Sequence, residues 1–261
     1  MTSATGEMTG KTAIVTGGGS GIGRAGALEF ARLGANVVVS DIDIESAKAT
    51  ALAIEATAAG AAAGARAVSI RTDVSVDAEV EAMVDFAVAS FGGLDFAFNN
   101  AGIAGPMADT VGYSEADFDR VIEINLKGVW LCMKHEIPRM LDRGAGSIVN
   151  TASIAGLVGG ASAAYNASKH GVIGMTKQAA LEYSARGVRV NAVCPSIILT
   201  PMIEGVFDSQ PHLEEEWMRN EPIGRFAPPE EVATAVAWLC SPGASYITGH
   251  ALPVDGGWLA R

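Results

Sequence analysis

Short apolar runs alternate along this chain with long stretches of helical periodicity, and that alternation limits the fold more than any other property of the sequence. Residues 12–16, 36–40, 67–72, 94–98, 147–151 and 188–194 read as strands, several of them continuously apolar, as strands buried on both faces must be. Between them, residues 22–33, 44–59, 77–91, 115–141 and 163–186 read as helices. A βαβα order predicts a parallel sheet covered by helices on both faces. Residues 229–240 read as a further helix, opening on Pro229 with Glu230 and Glu231 in its first turn, where the helix dipole favours them. Residues 251–254 supply a seventh strand before the Asp255-Gly256-Gly257 turn. The expected fold is α/β, a single-domain doubly wound parallel sheet of about seven strands. A length of 261 residues, 49% of them apolar, suits one unit with a continuous core, and neither a repeat nor an interdomain linker is visible.

Charge and cysteine usage exclude several functions. A net charge of −11 without a Lys/Arg cluster leaves no basic face for a nucleic acid. The first eleven residues are polar, with neither a basic nor an apolar region of a secretion signal, so a cytoplasmic location is expected. Residues 49–65 are alanine-rich rather than leucine-rich, are interrupted by Glu55 and Thr57, and read as a helix running into a loop; no membrane association is expected. Cys132, Cys194 and Cys240 are odd in number and widely spaced, without matching histidine pairs, so neither a disulfide framework nor a metal site is indicated.

In an open parallel sheet ligands bind beyond the carboxyl ends of the strands. The residues there are not random. The first strand runs into Thr16-Gly17-Gly18-Gly19-Ser20-Gly21-Ile22-Gly23, the second into Asp41-Ile42, the third into Asp73-Val74. The fourth runs into Asn99-Asn100-Ala101-Gly102, the fifth into Ser153 and the sixth into Pro195-Ser196. Residues without a β-carbon let the backbone approach a pyrophosphate, and the helix that follows offers its N-terminal amides. Gly21, Gly23 and Gly26 satisfy Gly-x-Gly-x-x-Gly, and Asp41 stands where an acid would meet the adenosine ribose hydroxyls. Together these predict a dinucleotide site. A second feature is Tyr165 four residues before Lys169, a spacing that sets a weak acid and a cation on one helix face, where the ammonium is expected to draw the phenol pKa down.

These residues resemble the short-chain dehydrogenase/reductase family, whose fold is Rossmann-like. The resemblance rests on Thr-Gly-x-x-x-Gly-x-Gly at Thr16, Gly17, Gly21 and Gly23, on Asn99 to Gly102, and on Tyr-x-x-x-Lys at Tyr165 and Lys169, and it covers nearly the whole chain. It implies catalytic roles for Asn125, Ser153, Tyr165 and Lys169: Ser153 holds the substrate oxygen, Tyr165 is the acid/base, Lys169 assists it and binds the nicotinamide ribose, and Asn125 completes a proton relay through water. It implies cofactor contacts from Gly17, Ser20, Gly21, Ile22, Gly23, Asp41, Ile42, Asp73, Val74, Asn100, Ala101, Gly102, Pro195, Ile198 and Thr200, besides Tyr165 and Lys169. The cofactor implied is NAD, because Asp41 would repel a 2′-phosphate and no Lys or Arg lies between Gly17 and Gly23; Arg24, inside the helix, is expected to face away from the ribose. Where the family usually carries Pro-Gly after the sixth strand, this chain has Pro195-Ser196.

Residues 200–220 mix Met202, Phe207 and Trp217 with Glu204, Asp208, Glu214, Glu215 and Glu216 and read as a lid. Candidate substrate contacts are Ser153, Ile154, Leu157, Tyr165, Ile197, Met202, Phe207 and Trp217, with Ile103 and Val158 beside them, a largely apolar set. Such a pocket suits a small apolar secondary alcohol or ketone, and the resemblance implies a cyclic alcohol or diol. The alternatives are a reductase of 3-oxoacyl thioesters and a non-catalytic dinucleotide-sensing protein. The resemblance also implies a homotetramer paired through the helices over 115–141 and 163–186.

Overall fold

The first strand, β1 (Thr12–Thr16), is buried along its whole length, which places it in the interior of a sheet. The computed structural model describes residues 6–56 and 64–260. After β1 come α1 (Gly21–Arg32), β2 (Asn36–Asp41), α2 (Ile44–Ala56), β3 (Ala67–Arg71), α3 (Asp77–Phe91) and β4 (Phe96–Asn99). The second half holds α4 (Glu115–Ile122), a π-turn (Glu123–Lys127), α5 (Gly128–Asp142), β5 (Gly146–Thr151), α6 (Ala163–Tyr183) and β6 (Val188–Pro195). It closes with α7 (Pro201–Ser209), α8 (His212–Met218), α9 (Pro229–Cys240) and β7 (Ala251–Val254).

All pairings are parallel, and the seven strands lie in the order β3-β2-β1-β4-β5-β6-β7. The order reverses between β1 and β4, which opens a crevice at the carboxyl edge between those two strands. The period-two alternation of strand side chains divides the core. Ala13, Val15, Val37 and Val39 pack on one face with Phe30 of α1, Ile54 of α2 and Val232 and Val236 of α9. Ile14 and Val38 face the other way, against Val80 and Met83 of α3, Leu131 and Met140 of α5 and Val172 of α6.

Local chemistry sets the boundaries. Ser114 caps α4 by accepting from Asp117 N, Ser162 caps α6 by accepting from Tyr165 N, and Thr200 caps α7 with Pro201 at its first position. Several expected bounds move by one to three residues. β3 stops at Arg71, α6 gives way to a 3-10 turn (Ser184–Arg186), and β4 begins at Phe96 rather than at residue 94; Asp95 before it holds the start of β1, its carboxylate accepting from Thr12 N at 2.9 Å and from Lys11 Nζ at 3.0 Å. The last residues of the helix expected over 44–59, and residues 57–63 of the alanine-rich tract, lie outside the described residues. The helix expected over 115–141 is present but irregular: the π-turn interrupts its α-helical hydrogen bonding, Gly128 N donating to Glu123 O. The reason is tertiary and concerns Asn125.

Candidate active site

The loop after β1 begins at Gly17, whose φ of 62° is left-handed and whose added β-carbon would stand 3.0 Å from Ala101 Cα. At Gly23 the contact is closer still: a β-carbon would lie 2.0 Å from Gly17 O. The glycines therefore let this loop lie directly on the loop after β4. Thr16 joins them: its hydroxyl accepts from Asn100 N at 2.9 Å and Ala101 N at 3.1 Å, while Asn100 Nδ2 donates back to Thr16 O at 3.2 Å. Thr151, at the end of β5, extends the seam by donating its hydroxyl to Asn100 Oδ1 at 3.3 Å.

Asp41 does two things at the end of β2. Its Oδ2 accepts from Gly19 N at 2.9 Å and its Oδ1 from Asp43 N at 3.0 Å, so it holds the glycine loop while presenting a carboxylate to the crevice. Asp73 is held below the usual carboxylate range first by the Ser75 hydroxyl, with smaller help from the charges of Arg71 and Arg120.

On α6, Lys169 is buried and donates from Nζ to Thr151 O at 2.8 Å, with Nζ 5.5 Å from the centre of the Tyr165 ring. Among the described residues no carboxylate pairs with it, and burial pulls its pKa down to about 8. The phenol moves opposite to expectation. Burial raises the Tyr165 pKa, and the Ser153 hydroxyl offsets this only in part. A partly desolvated ammonium 5.5 Å from the ring, tied to a carbonyl, does not outweigh the cost of burying a phenolate. Ser153 accepts from Ala155 N at 3.1 Å and donates to Pro195 O at 3.5 Å.

Asn125 is fully buried, and its amide is fully engaged: Oδ1 accepts from Ile103 N and Nδ2 donates to Ile103 O, each at 2.8 Å, while Nδ2 also donates to Ser168 Oγ at 3.4 Å. The π-turn is what swings it inward. An extra residue per turn shifts the helical register, and a β-carbon on Gly102 would lie 3.2 Å from Asn125 Oδ1 and 3.6 Å from Lys169 Nζ.

A cleft of about 370 Å³ runs over these residues. Of the expected cofactor contacts it is lined by Gly17, Ser20, Gly21, Ile22, Asp41, Ile42, Asp73, Val74, Asn100, Ala101, Gly102, Tyr165, Lys169 and Thr200. Gly23, Pro195 and Ile198 do not line it: Gly23 is buried beneath Gly17, Pro195 ends β6, and Ile198 is buried in a bridge to Ala227. Among the expected substrate contacts, Tyr165, Met202 and Ile103 line the cleft, whereas Ser153, Ile154, Leu157, Ile197, Phe207 and Trp217 do not. Phe207 and Trp217 instead pack on each other at 5.7 Å, and Phe207 stacks on Phe226 at 5.4 Å; large aromatic surfaces on two short helices bury one another before they can line an open cleft. Thr72, Thr151, Ile124 and Arg120 line it unforeseen. The two threonines close strands, a signal that was available, but nothing in the periodicity of α4 marks Arg120. Arg24 is exposed and does not line the cleft.

The cradle fits a dinucleotide. Its glycines stand where β-carbons would collide, and a carboxylate and a buried ammonium stand along one open channel. Comparison with known proteins agrees. A family described as enoyl-(acyl carrier protein) reductase matches residues 17–259. The chain is 44% identical over 259 residues to 2,5-dichloro-2,5-cyclohexadiene-1,4-diol dehydrogenase of Sphingobium indicum, covering 97% of this chain and 99% of the relative. It is 44% identical to cyclohexanol dehydrogenase of Acinetobacter sp., covering 96% of each. The crystal structure of levodione reductase superposes with a TM-score of 0.91 at 38% identity, covering 97% of this chain and 99% of that one. The likeness thus runs over nearly the whole length of proteins named as alcohol dehydrogenases and a reductase, and the chain belongs to the short-chain dehydrogenase/reductase family.

Proposed function

We propose that this oxidoreductase interconverts a small, largely apolar cyclic secondary alcohol or diol and its ketone, with NAD as the cofactor. The observation that carries the reading is the convergence of Tyr165, buried Lys169 and Ser153 beside one cleft, in a chain whose relatives are named for cyclohexanol and a cyclohexadienediol. A bound nicotinamide supplies or accepts the hydride at the substrate carbon. Tyr165 Oη takes the proton from the alcohol oxygen, or returns it to the ketone oxygen. Ser153 Oγ donates to that same oxygen and fixes its orientation toward the phenol. Lys169 stabilises the phenolate while it exists and holds the ribose beside it. We place the proton relay on the main-chain carbonyl of Asn125, since its side-chain amide already clamps Ile103. Acid/base participation of this kind contributes about 10²- to 10⁴-fold in rate.

The cofactor preference follows from Asp41. Its carboxylate faces the cleft at the end of β2, and Ile42 beside it is exposed and apolar. A 2′-phosphate there would add about 1.5 to 2 negative charges against it. We expect kcat/KM to favour NAD over its 2′-phosphorylated form by at least about 100-fold; comparable values would reject the assignment. Helices α7 and α8 form the lid, entering the cleft through Thr200, Pro201 and Met202. Their acids Glu204, Asp208, Glu214, Glu215 and Glu216 would repel an anionic acyl carrier, so turnover of a carrier-bound 3-oxoacyl group faster than any cyclic ketone would favour the thioester reading instead. We place the enzyme in the cytoplasm, where its unpaired buried thiols Cys132, Cys194 and Cys240 stay reduced.

A further inference from the structure

The sheet carries a polar chain in its interior that the reaction does not use. Glu136 of α5 is wholly buried, and its Oε2 accepts from Asn99 Nδ2, at the end of β4, at 3.0 Å. Asn99 Nδ2 also donates to Asn150 Oδ1 of β5 at 3.1 Å, and Asn150 Nδ2 donates to Thr176 Oγ1 of α6 at 3.0 Å. Two atoms of this chain are buried without a partner, and they sit on the same pair of side chains: Glu136 Oε1 and Asn99 Oδ1. With a carboxylate both are acceptors and neither can satisfy the other, at a cost of about 1–3 kcal/mol each. A proton on the carboxyl would supply the donor that this pair lacks.

We propose that Glu136 is carried as the neutral acid, its O–H donating to Asn99 Oδ1 while Asn99 Nδ2 donates to Glu136 Oε2, and that this two-bond ring positions the strand end that presents Asn100 to the cleft. The surroundings agree. No cation pairs with Glu136 among the described residues, and burial lifts its pKa to about 7. The one other titratable group against it is Cys132, a turn earlier on α5, whose thiol burial keeps protonated. β4 and β5 offer it only the amides of Asn99 and Asn150, and α6 reaches the chain through Thr176. Where α3 meets α5, its Asp77 and Asp85 pair with Lys134, His135 and Arg139 on the outer surface instead. Glu136 is therefore a positioning residue that acts through Asn99. Its link to turnover rests on the reading of the cleft given above, whereas its protonation does not.

The pH dependence follows in sign. Between the ordinary carboxylate range and about 7 the folded chain holds a proton that the unfolded chain has released, so this contribution is complete in acid and lost as pH rises through about 7. Glu136→Gln supplies the same ring permanently, because its amide both donates and accepts. The test compares wild type, Glu136→Gln and Glu136→Ala. In infrared difference spectra at about pH 6, wild type minus Glu136→Gln should show a carboxylic-acid carbonyl band. Between about pH 5 and about pH 8 the Tm of wild type should fall relative to that of Glu136→Gln. Glu136→Gln should keep kcat within about twofold, and Glu136→Ala should lower Tm at every pH and raise KM for NAD at least about fivefold. Absence of the acid band, a wild-type Tm parallel to that of Glu136→Gln, or a Glu136→Gln protein as damaged as Glu136→Ala or unable to fold would each overturn the proposal. A carboxylic-acid band and rescue by glutamine in a protein inactive on every alcohol would leave it standing and reject only the proposed reaction.

Discussion

At the scale of single residues, Lys169 sets function against stability. Its buried ammonium is held by one carbonyl, and a pKa near 8 means that the folded chain gives up a proton that the unfolded chain keeps to about 10.5. Its burden is thus full below about pH 8 and is relieved as pH rises toward 10.5. Lys169→Met should abolish turnover and weaken cofactor binding, yet raise stability at neutral pH by up to about 3 kcal/mol, read as a higher Tm. An active or destabilised variant would contradict this assignment. Tyr165→Phe keeps the ring and removes the proton, so activity should vanish with NAD affinity almost unchanged in a fluorescence titration; more than a tenth of wild-type activity would exclude Tyr165 as the acid/base. Asp41→Ala should relax the cofactor preference and also loosen the loop, since the same carboxylate holds Gly19 N.

The π-turn is the feature that matters at the scale of elements. It lets a helix interior present Asn125 sideways, so that one amide secures both backbone groups of Ile103 beside Gly102 and Lys169. Asn125→Ala would leave the half-buried N–H and carbonyl of Ile103 without this partner, and unfolding in urea should show a loss of about 1–3 kcal/mol. Turnover should drop at least about tenfold, because the loop after β4 loses its anchor. A variant with wild-type stability would mean that the clamp is not formed in solution.

Association belongs to the whole molecule. A groove of about 510 Å³ crosses the outer faces of α5 and α6, lined by Trp130, Met133, Ile137, Leu141, Met175 and Tyr183. Trp130 is 48% exposed, and Leu181 of α6 is 82% exposed. Such faces are more apolar than a solvated helix surface requires, and we propose that they pair across two-fold axes into a homotetramer. Light scattering should give four times the chain mass, and Trp130→Glu with Leu181→Asp should reduce it. A monomer at working concentration would reject this assembly.

The sequence by itself determined the sheet, the glycine cradle and the Tyr165–Lys169 pair, because each depends on near neighbours: alternation along a strand, glycines where side chains cannot fit, and one helical turn between two groups. Asp41, Asp73 and Asn100 were legible for a related reason, since a parallel sheet brings every strand end to one edge. Only the tertiary structure decided where Asn125 points, because a π-turn is an insertion into the helical pattern and its stabilising partner, Ile103, is 22 residues away. It also decided that Phe207 packs against Trp217 and Phe226 rather than lining the cleft, and that burial raises the Tyr165 pKa. Glu136 reads in the sequence as one more charge on a helix. Its burial against Asn99, 37 residues away, is what makes a proton part of the fold, since desolvation acts through whatever the folded chain places around a group and not through its neighbours in sequence.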